Sequence, residues 1–589
     1  MRRMMVRMRR TAFIVAMTAG SLLSYGRAAG AQTYFDAHNH ITGVLPYYAY
    51  ANLPAFIDSL STPGRQVGFD DRLALYRSIA DVWYPSEAAG LDDKPFSPPD
   101  GQRFALGARA ALVVYHDQVA GSAAALNGTL ERVLTATPWS EFDSAYAFRG
   151  GPASAYLLQR FYGGSYERLA ADLCKATVLD LAATNIQASE QSLPFIGGWK
   201  FSGGASWPLS TVECVMNAPA DPSVGAALRA MGKPLPSIKI VLMTHTSQLA
   251  SLPGGTAYSE WSKTGACAQV PLPKALMTDP KTIHDGLLGW DRGRLVVPAA
   301  QAAQFYDTVV GIDTAGPETT CFTPDGMAYY DRLIGAVYDA SKARRRAGWH
   351  GKLLVHTHVG EGATIDYVPT PPAQPWTFQA VFSALPPTRT NAAQAEQNIT
   401  ALLGAVARFE TAHADLHDYV VFRFAHDTWA SESQARAMHD EGVEADVNLE
   451  SNVATGAYPV SRMPLAQSSV DAEIAQLAQN PATNFELNDL LGALVKDPND
   501  PSQVGGVLGN AALKYLLEAR VRCLLGTDAD GVEHSDIVKE YEYASSLIAY
   551  WNRTDPAFRD RSGGADEQTL FSNVRWHQTT MSSDKAEAY

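Results

Sequence analysis

Cysteine is scarce in this chain: there are five in 589 residues, and no two stand as Cys-x-x-Cys. A thiolate-rich structural zinc site or a dithiol redox centre uses that spacing, so neither is expected. Positive charge is also short. Lys and Arg number 47 against 61 Asp and Glu, a formal net charge of −14, which argues against nucleic acid or an anionic membrane as partner. Beyond the first 31 residues no apolar run is long enough to span a bilayer. P-loop and Rossmann glycine patterns are missing, and no repeat of fixed period is visible.

What is present begins with Arg2, Arg3, Arg7, Arg9 and Arg10, a short apolar run over Ala12-Phe13-Ile14-Val15-Ala16-Met17, and Ala29-Gly30-Ala31. A basic start, a brief greasy middle and a small-x-small site make residues 1–31 an expected signal peptide. The mature chain would then start near Gln32, in the periplasm or outside the cell. Losing six arginines and no acidic residue takes the formal charge from −14 to −20. That compartment permits disulfides. Cys523 lies in the apolar run Val521-Arg522-Cys523-Leu524-Leu525 and is the expected free thiol, while pairing among Cys174, Cys214, Cys267 and Cys321 stays open.

Buried-strand runs alternate with helical stretches along the rest of the chain. Ile238–His245, Val309–Thr314, Leu353–Val359, Tyr419–His426, Ala445–Leu449 and Cys523–Leu525 are apolar and β-branched, and polar residues gather at their far ends. This predicts an α/β fold, a (β/α)8 TIM barrel with its chemistry at the C-terminal strand ends. Residues 32–589 are expected to form one barrel, with insertions near 44–127, 250–302, 362–395 and 457–508. The second reads as an irregular Gly-, Pro- and Ser-rich surface stretch, and the third could reach over the site as a lid. The cluster Lys342-Ala343-Arg344-Arg345-Arg346 reads as a solvated helix end.

The stretch Val355-His356-Thr357-His358-Val359-Gly360-Glu361 organises the site, with His358 able to ligate a divalent metal and Glu361 close enough to pass a proton. His38 and His40, two apart on the first strand, share a face and can chelate one ion. With Asp528 after the last strand, His38, His40 and His358 complete a three-nitrogen, one-oxygen set that suits Zn2+, one per chain, with other divalent transition metals open. A coordinated water with its pKa lowered toward neutrality would supply hydroxide, His426 would hold or deprotonate that water, and Glu361 would protonate the substrate. These roles define metal-assisted hydrolysis. His356 lies one layer deeper and reads as core packing. His245 and His534 are weaker candidates for substrate contact.

In these motifs the chain resembles the adenosine deaminase family of the amidohydrolase superfamily. His38-Asn39-His40-Ile41-Thr42-Gly43 resembles that family's His-x-His-Leu-Asp-Gly, and Gly311-Ile312-Asp313-Thr314-Ala315-Gly316-Pro317-Glu318 its Gly-Ile-Asp-Leu-Ala-Gly-x-Glu. His358-Val359-Gly360-Glu361 is similar to His-Ala-Gly-Glu, Arg423-Phe424-Ala425-His426 to Arg-Ile-Gly-His, Glu450-Ser451-Asn452 to Pro-x-Ser-Asn and Gly526-Thr527-Asp528 to the start of Asn-Thr-Asp-Asp-Pro. The resemblance implies metal binding by His38, His40, His358 and Asp528, proton donation to a purine by Glu361, water activation by His426 and a backbone substrate contact at Gly316.

The chain departs from that pattern where a purine nucleoside is read. Ala529 replaces the second aspartate, with Asp530 one place later, and Thr42 replaces the aspartate that contacts the sugar. Gly316, Asp530 and Thr42 are accordingly the expected substrate-binding positions. The expected activity is deamination of an amino-purine nucleoside or related aminated heterocycle. Alternatives are hydrolysis of an amide or lactone, and an exported binding protein without catalysis. A small molecule is the expected partner, with no nucleic acid and no stable membrane association; a homo-oligomer stays open. The zinc pattern of cytidine deaminases, His-x-Glu with Pro-Cys-x-x-Cys, is missing.

Overall fold

The computed structural model describes residues 34–62, parts of 64–75, 153–199 except 197, 207–261, 266–271, 278–316, 320–361, 392–454, 496–504 except 498 and 499, 512–530 and 535–582. The expected signal peptide, most of the first insertion, most of the third and fourth, Pro317, Glu318 and His534 lie outside the described residues.

Eight strands form one sheet in the order β1 to β8: Tyr34–His40, Ile186–Pro194, Ser237–His245, Val309–Ala315, Leu353–Val359, Val420–His426, Glu444–Val447 and Cys523–Leu525. From β2 to β8 each strand pairs in parallel with the next. The sheet closes on itself where Asn39 bridges Asp528 in parallel; Asp528 N donates to His38 O and His40 N to Asp528 O, both at 2.8 Å. Gly526 permits this approach, because a Cβ there would stand 2.8 Å from His38 N and 2.9 Å from His38 O. The fold is a (β/α)8 barrel.

Helices follow the strands: α1 Tyr166–Ala183, α2 Pro222–Met231, α3 Ala302–Thr308, α4 Pro324–Arg346, α5 Ala392–Ala412, α6 Glu432–Asp440, α7 Ala512–Glu518, α8 Ile537–Thr554 and α9 Glu567–Met581. Local chemistry sets their starts. Thr323 caps Gly326 N with Pro324 at the first helical turn of α4, and Ser431 with Gln434 forms a capping box on α6. α4 departs from its expected solvated end. Arg344 is fully buried, its guanidinium satisfied by the carbonyls of Leu287, Tyr306 and Val309, so this cation ties α4 to the barrel instead of facing water.

The second insertion is more regular than its composition suggests. It holds a hairpin, Ala257–Trp261 with Cys267–Pro271, and a helix over Pro280–Leu287. A disulfide between Cys267 and Cys321 ties the hairpin to the segment after β4. A second joins Cys174 of α1 to Cys214, and Cys523 is a buried free thiol.

α9 closes the floor of the barrel at the N-terminal strand ends. Val574 packs with Phe35, Ala37, Ala188 and Leu524, and Met581 with Val241, Val310, Leu354 and Val421. Each such buried aliphatic side chain contributes about 1.5–3 kcal/mol relative to exposure. Above that apolar floor the inward positions turn polar, at every second residue of each strand: Glu190 and Ser192 on β2, Asp313 on β4, His356 and His358 on β5, Arg423 on β6, Glu444 and Asp446 on β7.

Candidate metal centre

β1 delivers His38 and His40 from one face, both buried. Their Nε2 atoms are 3.3 Å apart. Asp528 comes to them from the end of β8, its Oδ1 lying 3.2 Å from His40 Nε2 and 3.5 Å from His38 Nε2. Ligands bound at about 2.0–2.2 Å around one tetrahedral ion stand at just such mutual distances. Asp528 Oδ1 is buried and accepts no hydrogen bond, while Oδ2 accepts one from Ser451 Oγ at 2.8 Å. One oxygen is therefore anchored and the other left pointing at two imidazole nitrogens.

His358 approaches from β5. Its Nε2 lies 3.4 Å from Oδ2 of Asp313, a residue the motif reading passed over as a ligand. The ligand atoms of His38, His40, Asp313 and His358 all lie within 4.8 Å of one another, as do those of His38, His426 and Asp528. The structure thus brings all four expected ligands into one buried cluster but supplies carboxylates on two sides of it. The signal for Asp313 was present: an acid in the inward register of an otherwise apolar strand, directly beside His356.

Charge states favour a cation here. Burial, reinforced by His358, holds His38 down at about 3, so it is neutral at ordinary pH and able to ligate. Burial likewise lowers His358 and His426. Burial by itself would raise the Asp528 carboxyl, but its close contact with His40 and the neighbouring imidazoles outweigh burial and hold it well below the usual carboxylate range, so it is ionised. Deeper, His356 lies 3.1 Å from Asp313 Oδ1 and 3.3 Å from Asp446 Oδ2. Burial pulls against its charge, yet Asp313 prevails and lifts it to about 9.

β6 ends in left-handed backbone, with His426 at φ +70° and Asp427 at +48°, and Asp528 after β8 sits at +62°. Non-glycine residues held there cost of order 1–3 kcal/mol each and gather where side chains must be aimed. His426 Nδ1 lies 3.0 Å from Asn452 Oδ1. That oxygen only accepts, so Nδ1 carries the proton and Nε2 presents a lone pair, 3.8 Å from Glu361 Oε2. Glu361 is buried with it. A base and an acid thus share one wall beside the imidazole cluster. Asn452 stood in a quoted motif without a role; its place on the short helix Leu449–Ala454 gives it one.

No protein-family model matches the chain, and no curated protein matches it. Solved structures similar to it include an N6-methyl-AMP deaminase from Arabidopsis thaliana, at 11% identity and TM-score 0.39 over 93% of this chain and 96% of that one. An adenine deaminase from Arthrobacter aurescens has 11% identity and TM-score 0.32 over 91% and 98%, and a triazine hydrolase variant 11% and 0.37 over 76% and 65%. Likeness at these values carries no weight for chemistry, which rests on the residues themselves.

The expected substrate positions fare differently. Gly316 has φ +136°, which only glycine adopts readily, and a Cβ there would stand 3.0 Å from His245 Nε2 and from Thr246 Oγ1. Its backbone is therefore close beside His245, whose Nδ1 is 2.7 Å from Ser247 Oγ. Thr42 is half-buried after β1, and its carbonyl accepts from Tyr50. Asp530 is turned to Asn39, whose Nδ2 donates to it at 3.1 Å. The same amide reaches Thr527 Oγ1 and Asp36, so Asp530 helps clamp β8 to β1. The one-residue shift past Ala529 is the reason: it points the carboxylate at the closure seam.

Proposed function

We propose that this chain is an exported, zinc-dependent hydrolase that removes ammonia from an amino-purine nucleoside or related aminated heterocycle. The observation that carries the reading is the convergence of His38, His40 and the unbonded Asp528 Oδ1, with His426 and Glu361 on the adjoining wall. The donor set fits a divalent ion: neutral imidazoles and an ionised carboxylate at the spacing of ligands around one centre. His38, His40, His358 and Asp528 would hold it, with Asp313 near enough to take part. When bound, such an ion acidifies water and polarises the bond under attack.

This chain's own residues do the rest. His426 takes the proton of the attacking water at Nε2, the nitrogen left basic by Asn452, and Glu361 gives a proton to the substrate nitrogen. Burial of both keeps bulk water away from that transfer. Export is supported by the basic-then-apolar start and by two disulfide pairs in a chain with five cysteines.

A second reading, cleavage of an amide or lactone, is favoured by one observation. Ala529 stands in place of the acid expected to accept from a purine, and the next acid, Asp530, has one carboxylate oxygen engaged by Asn39. Elemental analysis of the purified protein together with a panel of aminated purines, pterins and pyrimidines tests both. About one zinc per chain with ammonia release supports deamination. Acid product without ammonia favours the second reading, and a metal-free, inactive protein overturns both.

A further inference from the structure

The deeper imidazole, His356, has no part in the chemistry so far, and core packing alone does not account for its surroundings. We propose that His356 is a positioning residue of the metal centre: it fixes Asp313 and Asp446 in the orientations that hold His358 and His38. The inference rests on the reading that the upper cluster binds a divalent ion.

The geometry is a chain of contacts. His356 Nδ1 lies 3.1 Å from Asp313 Oδ1, and Nε2 lies 3.3 Å from Asp446 Oδ2. Each carboxylate then reaches a different upper imidazole. Asp446 Oδ2 is 3.1 Å from His38 Nδ1, and Asp313 Oδ2 is 3.4 Å from His358 Nε2 and accepts from Ser192 Oγ at 2.6 Å. His356, Asp313 and Asp446 are all essentially inaccessible. Strand register enforces the arrangement, since Asp313 pairs with His356 across β4 and β5, and Ala425 with Asp446 across β6 and β7.

A carboxylate behind a ligating imidazole fixes its ring and raises its basicity. Asp446 stands so behind His38, Asp313 meets His358 at Nε2, and the two carboxylates share His356 between them. Without His356 the two buried carboxylates would lose a shared neighbour: Asp313 would keep Ser192, while among the described residues neither Asp446 oxygen has an aligned hydrogen bond and Oδ2 is left beside His38. His38 would then lose the nearer of the two contacts at its Nδ1, the other being the Asn448 amide at 3.3 Å, and with it part of what aims Nε2 toward His40 and Asp528. The competing assignment is ligation: the nitrogens of His38 and His356 and an oxygen of Asp446 lie within 4.8 Å of one another. A second ion there would have to share His38 with the first, so one imidazole would serve two cations.

The test is zinc affinity of the full chain by chelator competition, with the visible spectrum of the Co2+ form, for wild type, His356→Leu, His356→Gln and His577→Gln. His577 is an equally buried histidine under the barrel floor and controls for mere loss of a core imidazole. We expect about one zinc in wild type and an affinity lower by roughly 10–100-fold in His356→Leu with an altered Co2+ spectrum. His356→Gln, whose amide can still touch both acids, should recover part of it, and His577→Gln should leave affinity unchanged. If His356→Leu does not fold, the comparison of His356→Gln with His577→Gln carries the same decision. Equal affinity and spectra in wild type and the His356 variants would overturn the proposal, as would an equal loss in His577→Gln. Two zinc ions in wild type, one of them lost with His356, would make it a ligand instead. A wild type that binds no zinc would overturn the functional reading itself, a result distinct from all of these.

Discussion

The barrel holds buried charge in two places, and they are settled in opposite ways. At the floor Arg423 reaches Glu190 at 2.9 Å and Glu444 at 3.6 Å, while His577 from α9 meets the same two acids at 2.6 and 2.9 Å. The network contains its own permanent cation. At the mouth Asp528 faces His38, which burial keeps neutral, and Asp313 stands between His358, which burial lowers, and the charged His356. A buried carboxylate is tolerated when paired and costly when not. The acids of the floor have a fixed guanidinium among them, whereas Asp528 Oδ1 at the mouth has imidazoles beside it. On the proposed reading the same residue types serve structure at one end and ligand binding at the other, and the guanidinium makes the difference.

The largest effect should come from removing a mouth ligand. His40→Ala is expected to leave far less than one zinc per chain and to cut turnover by about 10³-fold or more, the several kcal/mol a metal supplies to a transition state. Far-ultraviolet circular dichroism should be unchanged, because the floor still holds the barrel. A variant that keeps its metal would break the contrast at once.

Glu361→Gln sharpens it. The amide keeps the shape but has no proton to give, so kcat should fall by about 10²–10⁴-fold with zinc content intact. Metal analysis beside steady-state kinetics separates this from ligand loss. A parallel fall in metal content would place Glu361 among the ligands.

Arg423→Leu addresses the other end. It strands Glu190 and Glu444 without their fixed cation, and breaking such a buried pair costs about 3–5 kcal/mol of stability. Denaturant unfolding should register that loss, while zinc per folded molecule stays the same. If zinc falls with stability, floor and mouth are one cooperative unit and the division drawn above fails.

The two ends were unequally legible in the sequence. His38 and His40, two apart before a turn, and His358 with Glu361 at the end of an apolar strand announce themselves, because strand periodicity and ligand chemistry act over a few residues. The strand-helix alternation that yields the barrel is local in the same way. Glu190, Arg423, Glu444 and His577 are far apart in the chain, and nothing near any one of them names its partners. Only β-sheet register and the return of α9 beneath the barrel assemble them. Asp313 was visible as an acid in a buried strand, yet its role depends on the cross-strand neighbour His356. Arg344 misled for a related reason: a basic cluster at a helix end reads as solvated until three distant carbonyls are seen to receive it. The contact of Asp530 with Asn39 was likewise illegible, because it depends on the closure of β8 against β1.

The smallest expected effect is a pH dependence that belongs to the floor alone. Burial would raise the Glu190 carboxyl, but the charges of Arg423 and His577 and their hydrogen bonds outweigh it and hold it at about 2, against an ordinary value of 4.5. As pH falls the unfolded chain therefore takes up this proton before the folded chain does. The stabilisation is complete above about pH 5 and disappears as pH drops through about 2, an amount of roughly 3 kcal/mol at 1.36 kcal/mol per unit. Glu190→Gln cannot titrate. Unfolding free energies of wild type and variant, measured from pH 7 downward in the presence of a chelator so that the mouth is silent, should differ most near neutrality and converge in acid. A constant offset at every pH would mean that Glu190 stabilises the floor by its shape and hydrogen bonds, and that the guanidinium is not what distinguishes the two ends of the barrel.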